Sequence, residues 1–264
     1  MASSSLLFPL LILPTLILIP TKSNSQNVPI YINCASDADY TVPSTFATNL
    51  GLLLSNLTAS VPLTAALFST ATVGAGSSAP AFGLAQCRPD ATTSDCAACL
   101  NRSAAAAPTR CPRRSSAAVR FDLCVLRFSD QHFFSQLDED QTLMLADPQS
   151  ASDPAVFNGR LGDLMDEISS QAAASEWRFA VGTRNFSDSG TIYGMGQCTR
   201  DLSEGDCSQC LRHSVALLPT CCYGRAGGRI LKVSCALRFQ TYSFFPSSVL
   251  RPPSVPRGKP KFFP

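Results

Sequence analysis

A C-x8-C-x2-C pattern occurs twice in this chain, at Cys87, Cys96 and Cys99 and again at Cys198, Cys207 and Cys210. Adding 111 to a residue number carries the first set onto the second, and also Cys111 onto Cys222 and Cys124 onto Cys235. Five cysteines in one register, without insertion or deletion, define a tandem duplication in which each copy is a cysteine-rich domain. The offset extends to apolar positions: Phe46, Leu50, Leu53, Leu54 and Leu57 map onto Phe157, Leu161, Leu164, Met165 and Ile168. Phe82-Gly83 maps onto Tyr193-Gly194, Gln86 onto Gln197, and Phe133-Phe134 onto Phe244-Phe245. Two copies with coincident apolar positions are expected to bury the same core.

The 264 residues could form one large domain or two small ones, and the repeat decides for two of roughly 100 residues, each enough for a modest core. Leu6 to Ile19 is an apolar run followed by Ser23 and Ser25 at the −3 and −1 positions of a signal-peptidase site. Residues 1–25 therefore read as a signal peptide, with Gln26 as the mature N-terminus. A membrane anchor needs about 20 apolar residues, and this run is shorter and interrupted by Pro14. Twelve cysteines behind such a segment read as disulfides. The two C-x2-C pairs lie 111 residues apart in separate copies, which argues against one zinc site. The first domain is expected over residues 26–136, a linker over 137–152, the second domain over 153–246 and a Pro-rich basic tail over 247–264. That tail lacks the hydrophobic end of a lipid-anchor signal. The mature chain is expected to be secreted, without a membrane span. A net charge of +2 gives no footprint for nucleic acid. Asn56, Asn101 and Asn185 open N-x-[ST] sequons and are candidates for glycosylation.

Phe46, Leu50, Leu53, Leu54 and Leu57 follow the period of a helix, and Phe157 to Ile168 repeats it. Short strands are expected around Phe82–Gln86 and Ile192–Gln197. Thr92-x-x-Asp95 and Ser203-x-x-Asp206 have capping-box form, so each C-x2-C opens a second helix, with Pro108 and Pro219 marking its end. Val119 to Phe128 and Arg229 to Phe239 read as strands. The prediction is an α+β fold: two tandem disulfide-stapled domains, each with two helices packed on a small antiparallel sheet.

With these residues in place, the chain resembles the plant DUF26, or ginkbilobin-homologous, family. The resemblance is carried by Phe82-Gly83 or Tyr193-Gly194 before Gln and C-x8-C-x2-C, by Gly227-Gly228-Arg229-Ile230-Leu231 leading to Ser234-Cys235, and by Arg238-Phe239. It covers nearly all of residues 28–246. Two copies behind a signal peptide resemble the cysteine-rich repeat secretory proteins and the ectodomains of cysteine-rich receptor-like kinases and plasmodesmata-located proteins. The apoplast is the compartment so implied.

The family framework implies the pairs Cys34–Cys111, Cys87–Cys96 and Cys99–Cys124 in the first copy, and Cys198–Cys207 and Cys210–Cys235 in the second. Leu145 stands where a partner of Cys222 would be, and Cys221 is an extra cysteine. A vicinal bridge would join Cα atoms about 3.8 Å apart, below the usual minimum near 4.4 Å, so this pair is left open. The mannose-binding Asn, Arg and Glu of the ginkgo seed antifungal member correspond to Ala35, Ala118 and Ser129 in the first copy. In the second copy only Arg229 keeps its type, and Gln240 replaces the Glu. One arginine does not make a sugar site. Mannose binding is not expected, and Arg229 reads either as a vestigial ligand contact or as a surface residue on a strand.

No catalytic constellation can be assembled. His132 and His213 lie outside any catalytic motif, His213 on a solvated helix face, and Asp138-Glu139-Asp140 reads as a solvated charge run in the linker. No catalytic, metal-binding or cofactor-binding residue is implied, and no cofactor. The expected role is a non-enzymatic recognition module whose partner is an extracellular protein or cell-wall glycan. The alternative is a soluble relative of receptor-like kinase ectodomains acting as decoy or co-receptor. Contact between copies would use the sheets near Phe133-Phe134 and Phe244-Phe245, unless those aromatics serve strand packing.

Overall fold

The structure is a computed structural model and describes residues 28–34 and 39–250. The signal segment with Gln26, Ala35 and residues 251–264 of the tail lie outside the described residues. The first copy runs β1 (Tyr31–Cys34), α1 (Thr45–Ser60), β2 (Phe68–Val73), β3 (Ala81–Cys87), α2 (Thr93–Arg110), β4 (Ala117–Arg120) and β5 (Cys124–Ser129). The second runs β6 (Leu143–Ala146), α3 (Pro154–Ala174), β7 (Phe179–Asn185), β8 (Thr191–Cys198), α4 (Glu204–Ala216), α5 (Leu218–Cys222), β9 (Gly227–Leu231) and β10 (Cys235–Gln240). Among the described residues these strands form two antiparallel five-stranded sheets, ordered β1-β4-β5-β3-β2 and β6-β9-β10-β8-β7. The α+β architecture read from the repeat is the one observed.

Local chemistry starts each helix where the sequence places it. The hydroxyl of Thr92 accepts from the Asp95 N–H, and that of Ser203 from the Asp206 N–H, at 3.1 Å each. These bonds satisfy amides that the first turn leaves without intrahelical partners. Helix α1 buries Phe46, Leu50, Leu53 and Leu57, and α3 buries Phe157, Leu161, Leu164, Met165 and Ile168. Both lie close on their sheets. A Cβ at Gly83 would sit 2.8 Å from Leu53, and one at Gly194 would sit 2.6 Å from Ile168, so the glycines in the repeated aromatic-Gly pairs let helix and strand approach.

Three expectations need correction. Pro108 does not end α2, which continues to Arg110; its counterpart Pro219 instead occupies the first turn of the separate helix α5, where a missing N–H costs nothing. The stretches read as single strands are hairpins, β4-β5 turning through Phe121–Leu123 and β9-β10 through Lys232–Ser234. The segment 137–152 is more than a linker, because it contains β6, which pairs with β9 in the register Leu143↔Leu231.

Strand alternation gives each sheet a helix-covered face and a second face. Ala117, Val119, Leu126 and Phe128 pack in the first core, while Cys235, Leu237 and Phe239 pack in the second. Their neighbours point the other way, and there the copies meet: Tyr31 and Ala118 form one buried cluster with Leu231, Val233 and Ala236. The molecule is therefore layered helices, sheet, sheet, helices. No helix among the described residues is long and apolar enough to cross a membrane.

Candidate functional site

The junction between the copies is built from polar residues set among that apolar cluster. Gln86 on β3 is buried; its amide donates to the Cys198 carbonyl at 3.0 Å and its oxygen accepts from the Arg200 N–H at 2.9 Å. Arg200 also donates to the Ala66 carbonyl at 2.6 Å and lies over Phe68 and Trp177, one ring from each copy. Arg120 on β4 donates to the Val233 carbonyl at 3.2 Å. Burial lowers its guanidinium to about 10, opposed by the Tyr31 phenol, so it stays charged at neutral pH. Tyr31 donates to the Gln141 carbonyl at 3.0 Å.

Two residues of the acidic run are engaged rather than free in solvent, while Asp140 is exposed. Asp138 pairs with Arg127 at 2.8 Å, and its N–H donates to the Ser234 hydroxyl. Glu139 binds Lys232 at 2.6 Å and His213 at 3.0 Å. Burial raises the Glu139 pKa, but the hydrogen bond and charge of Lys232, with His213 and Gln209, hold it below the ordinary value. His213 is exposed, and Glu139 gives it a partner. His132 packs edge-on against Phe82 and Phe134 at a cleft of about 490 Å³ within the first domain, bordered also by Tyr40, Asp39 and Asp130.

At one end of the junction lies a cleft of about 460 Å³ lined by residues of both copies. The first domain contributes Arg88, Arg102, Phe121 and Asp122, and the second Arg238 and Phe244. Arg229 reaches across to Asp122, binding both carboxylate oxygens. Arg238 lies 3.9 Å from the Phe244 ring centre and 3.6 Å from the same carboxylate. Burial raises the Asp122 pKa; the hydrogen bond and charge of Arg229, with Arg238 and Arg88, outweigh it and hold the carboxyl low. Arg229, on strand β9, is thus engaged in an inter-domain ion pair. The mannose-type positions are not gathered as a site: Ala118 belongs to the buried domain contact, and Ser129 and Gln240 are buried.

The repeated aromatics divide. Phe133 and Phe134 pack on the first sheet with Leu84 and Val125, whereas Phe244 borders the inter-domain cleft. Arg127 over Phe133 at 4.2 Å and Arg238 over Phe244 at 3.9 Å repeat one arrangement at the duplication offset. The structure joins Cys34–Cys111, Cys87–Cys96, Cys99–Cys124, Cys198–Cys207 and Cys210–Cys235. It also joins Cys221 to Cys222, with Cα atoms 3.7 Å apart. Asn56, Asn101 and Asn185 are all exposed, the first two on helices and the third at the end of β7. Asp122, Arg120 and Arg200 were not singled out from the sequence. The available signal for Arg120 was an arginine beside the core residue Val119, on the strand face turned away from the helices, whereas Asp122 and Arg200 lie in turns outside the strands.

Two disulfide-stapled α+β domains joined through their sheets define a class, the tandem DUF26 ectodomain. The backbone matches that of the Arabidopsis thaliana cysteine-rich receptor-like protein PDLP8 with a TM-score of 0.72 and 26% identity, over 82% of this chain and 100% of the other. Residues 33–131 and 146–242 match the Salt stress response/antifungal family, and the chain belongs to that family. It is 35% identical over 216 residues to the antimicrobial ginkbilobin-2-like protein of Castanea crenata, covering 82% of this chain and 88% of that one. It is 34% identical over 226 residues to cysteine-rich repeat secretory protein 38 of Arabidopsis thaliana, covering 84% and 88%. Cysteine-rich receptor-like protein kinase 25 of Arabidopsis thaliana is 33% identical over 86% of this chain, which spans 34% of the kinase. The protein is extracellular, as its secretory and ectodomain relatives are.

Proposed function

We propose that this protein is a non-enzymatic recognition module of the plant apoplast, acting in stress or defence, in which the two domains present one composite ligand site. The reading rests on the inter-domain cleft, where a carboxylate of one copy and arginines of the other are held by a buried interface. A site assembled this way is preorganised, so a ligand need not order it. A glycan array and a pull-down from cell-wall extract test the reading, with the intact chain compared with Arg120→Ala. Removing Arg120 leaves the buried Val233 carbonyl without its donor, at a cost of about 1–3 kcal/mol to the junction. Retention by the intact chain and its weakening in the variant would support a composite site. Equal retention by both would refute it.

A second reading is favoured by the 33% identity to a receptor kinase over 86% of this chain. The protein would then pair with, or compete with, receptor-like kinase ectodomains. Co-elution with such an ectodomain in size-exclusion chromatography tests it. The mannose-lectin reading is not proposed, since the matching positions are Ala118, Ser129 and Gln240, with Arg229 engaged by Asp122.

A further inference from the structure

We infer that the inter-domain cleft takes a hydroxylated carboxylate of the uronic-acid sugar class, with Arg102 and Arg238 as its anion-binding residues. The inference rests on the recognition reading above and names the ligand chemistry of that site. At about 460 Å³ the cleft lies within the usual range for small-ligand sites.

The argument is one of unbalanced charge. Three guanidinium groups line the cleft, those of Arg88, Arg102 and Arg238, against the carboxylates of Asp95 and Asp122. Arg88 is fully engaged, binding both oxygens of Asp90 at 2.9 and 2.5 Å, with both side chains only 3% exposed. Asp122 is oversubscribed. Arg229 takes both of its oxygens, which leaves Arg238 at 3.6 Å, beyond hydrogen-bonding distance. The Arg238 side chain is 9% exposed, and its Nε has no hydrogen-bond partner. Arg102 lies over Phe121 at 5.7 Å, its buried Nε is also unpartnered, and it makes no ion pair among the described residues. Arg238 keeps a long ion pair to Asp122 and a contact with Tyr242, yet buried donor atoms without acceptors, the Nε of each arginine, are costly, and one ligand carboxylate between them would supply the missing acceptors.

The rest of the lining selects among anions. Asp95 and Asp122 would repel a compact dianion such as phosphate, yet each can accept hydrogen bonds from ligand hydroxyl groups. Asp95 has one oxygen held by Thr92 at 2.7 Å and a second to offer. Phe244 and Leu123 supply apolar surface for the C–H edge of a ring. A single carboxylate on a polyhydroxylated ring satisfies all three features.

Calorimetry and side-chain NMR of the intact protein, with galacturonic acid and its short oligomers as probes, test this. Galactose and inorganic phosphate are the controls. Galacturonate is expected to bind at least about tenfold more tightly than either, and Arg102→Gln to weaken it about tenfold, one charge-assisted contact. Arg102 is partly exposed and outside the domain contact, so this variant keeps the fold, and Arg238→Gln is the second variant. Equal binding of galactose would overturn carboxylate recognition, and equal binding of phosphate would reduce the site to a general anion site and overturn the sugar assignment. Galacturonate binding unchanged in Arg102→Gln, or no binding on the order of 10 mM, would also overturn it. If Arg102→Gln abolishes retention on cell-wall extract while galacturonate does not bind, the ligand class falls and the recognition reading stands.

Discussion

The two domains share a core and differ at one edge. In the first, Cys34 on edge strand β1 is bridged to Cys111 at the end of α2, closing a separation of 77 residues. In the second, the edge strand β6 carries Leu145 at the matching position, and Cys222 is bridged to its neighbour. What holds β6 is its place in the chain. It follows a segment fastened by Asp138 to Arg127 and by Glu139 to Lys232, and it precedes Ala151, whose N–H donates to the Gly224 carbonyl at 2.9 Å. Strand β6 is thus anchored by contacts on both sides, whereas β1 is fastened by the Cys34–Cys111 bridge. The comparison teaches that a long-range staple and chain connectivity can do the same job.

That comparison can be broken most severely at the cysteines. Removing Cys34 and Cys111 together should cost about 4 kcal/mol, since the bridge restrains a long loop in the unfolded chain. The Cys221→Ala, Cys222→Ala pair closes no loop and should cost far less. Denaturant titration of both double variants checks this, and equal losses would show that β1 is held as β6 is. A smaller effect should separate two matched glutamines. Gln86→Ala forfeits two inter-domain hydrogen bonds, about 1–2 kcal/mol. Gln197 cannot mirror it, because the counterpart of Arg200 is Pro89, which has no N–H. Gln197→Ala should therefore leave domain coupling, read by hydrogen exchange at Val233 and Arg200, closer to that of the parent.

The smallest effect is set by acid. Asp122 and Glu139 both have pKa values held below the ordinary ones. A depressed carboxylate stabilises the fold fully above its unfolded value, and that contribution is lost as pH falls through the folded one. The junction should loosen only below about pH 4, the ordinary carboxylate range. Asp122 is half-exposed, so solvent screening keeps its share small. Solution scattering from pH 7 downwards measures it. Loosening that begins well above that range would show that these two carboxylates do not set it.

Much of the fold was legible because duplication doubles every signal. The capping threonine and serine, the helical stripes and the aromatic-Gly pairs each occur twice at one offset, and each marks a real element. The edge strands were not legible. β2 reads Phe-Ser-Thr-Ala-Thr-Val and is only partly buried, so its alternation is weak. β6 reads Leu-Met-Leu-Ala with all four residues exposed, inside an acidic, Pro-containing stretch that looks like a loop. The site was less legible still. Arg229 pairs with Asp122, 107 positions away, and no local period announces a partner at that distance. Cysteines and cores repeat between the copies, but several residues of the contact between them do not, among them Arg120, Asp122 and Arg200, whose counterparts are Leu231, Val233 and Pro89.

The position of β6 also has a consequence for the order of assembly. As the chain emerges from the ribosome, Leu143, Met144 and Leu145 appear well before Leu231, Ile230 and Arg229, against which they must pair. The first domain can complete its own sheet in that interval. Its outer face, with Tyr31 and Ala118, must then wait for Val233 and Ala236 to cover it. That apolar face and the unpaired backbone edge of β6 thus stand open together in the nascent chain until the last hairpin arrives, and late, non-local pairing of this kind is slow and prone to aggregation. The interval before β9 is made is the one in which a folding helper in the secretory pathway has most to shield.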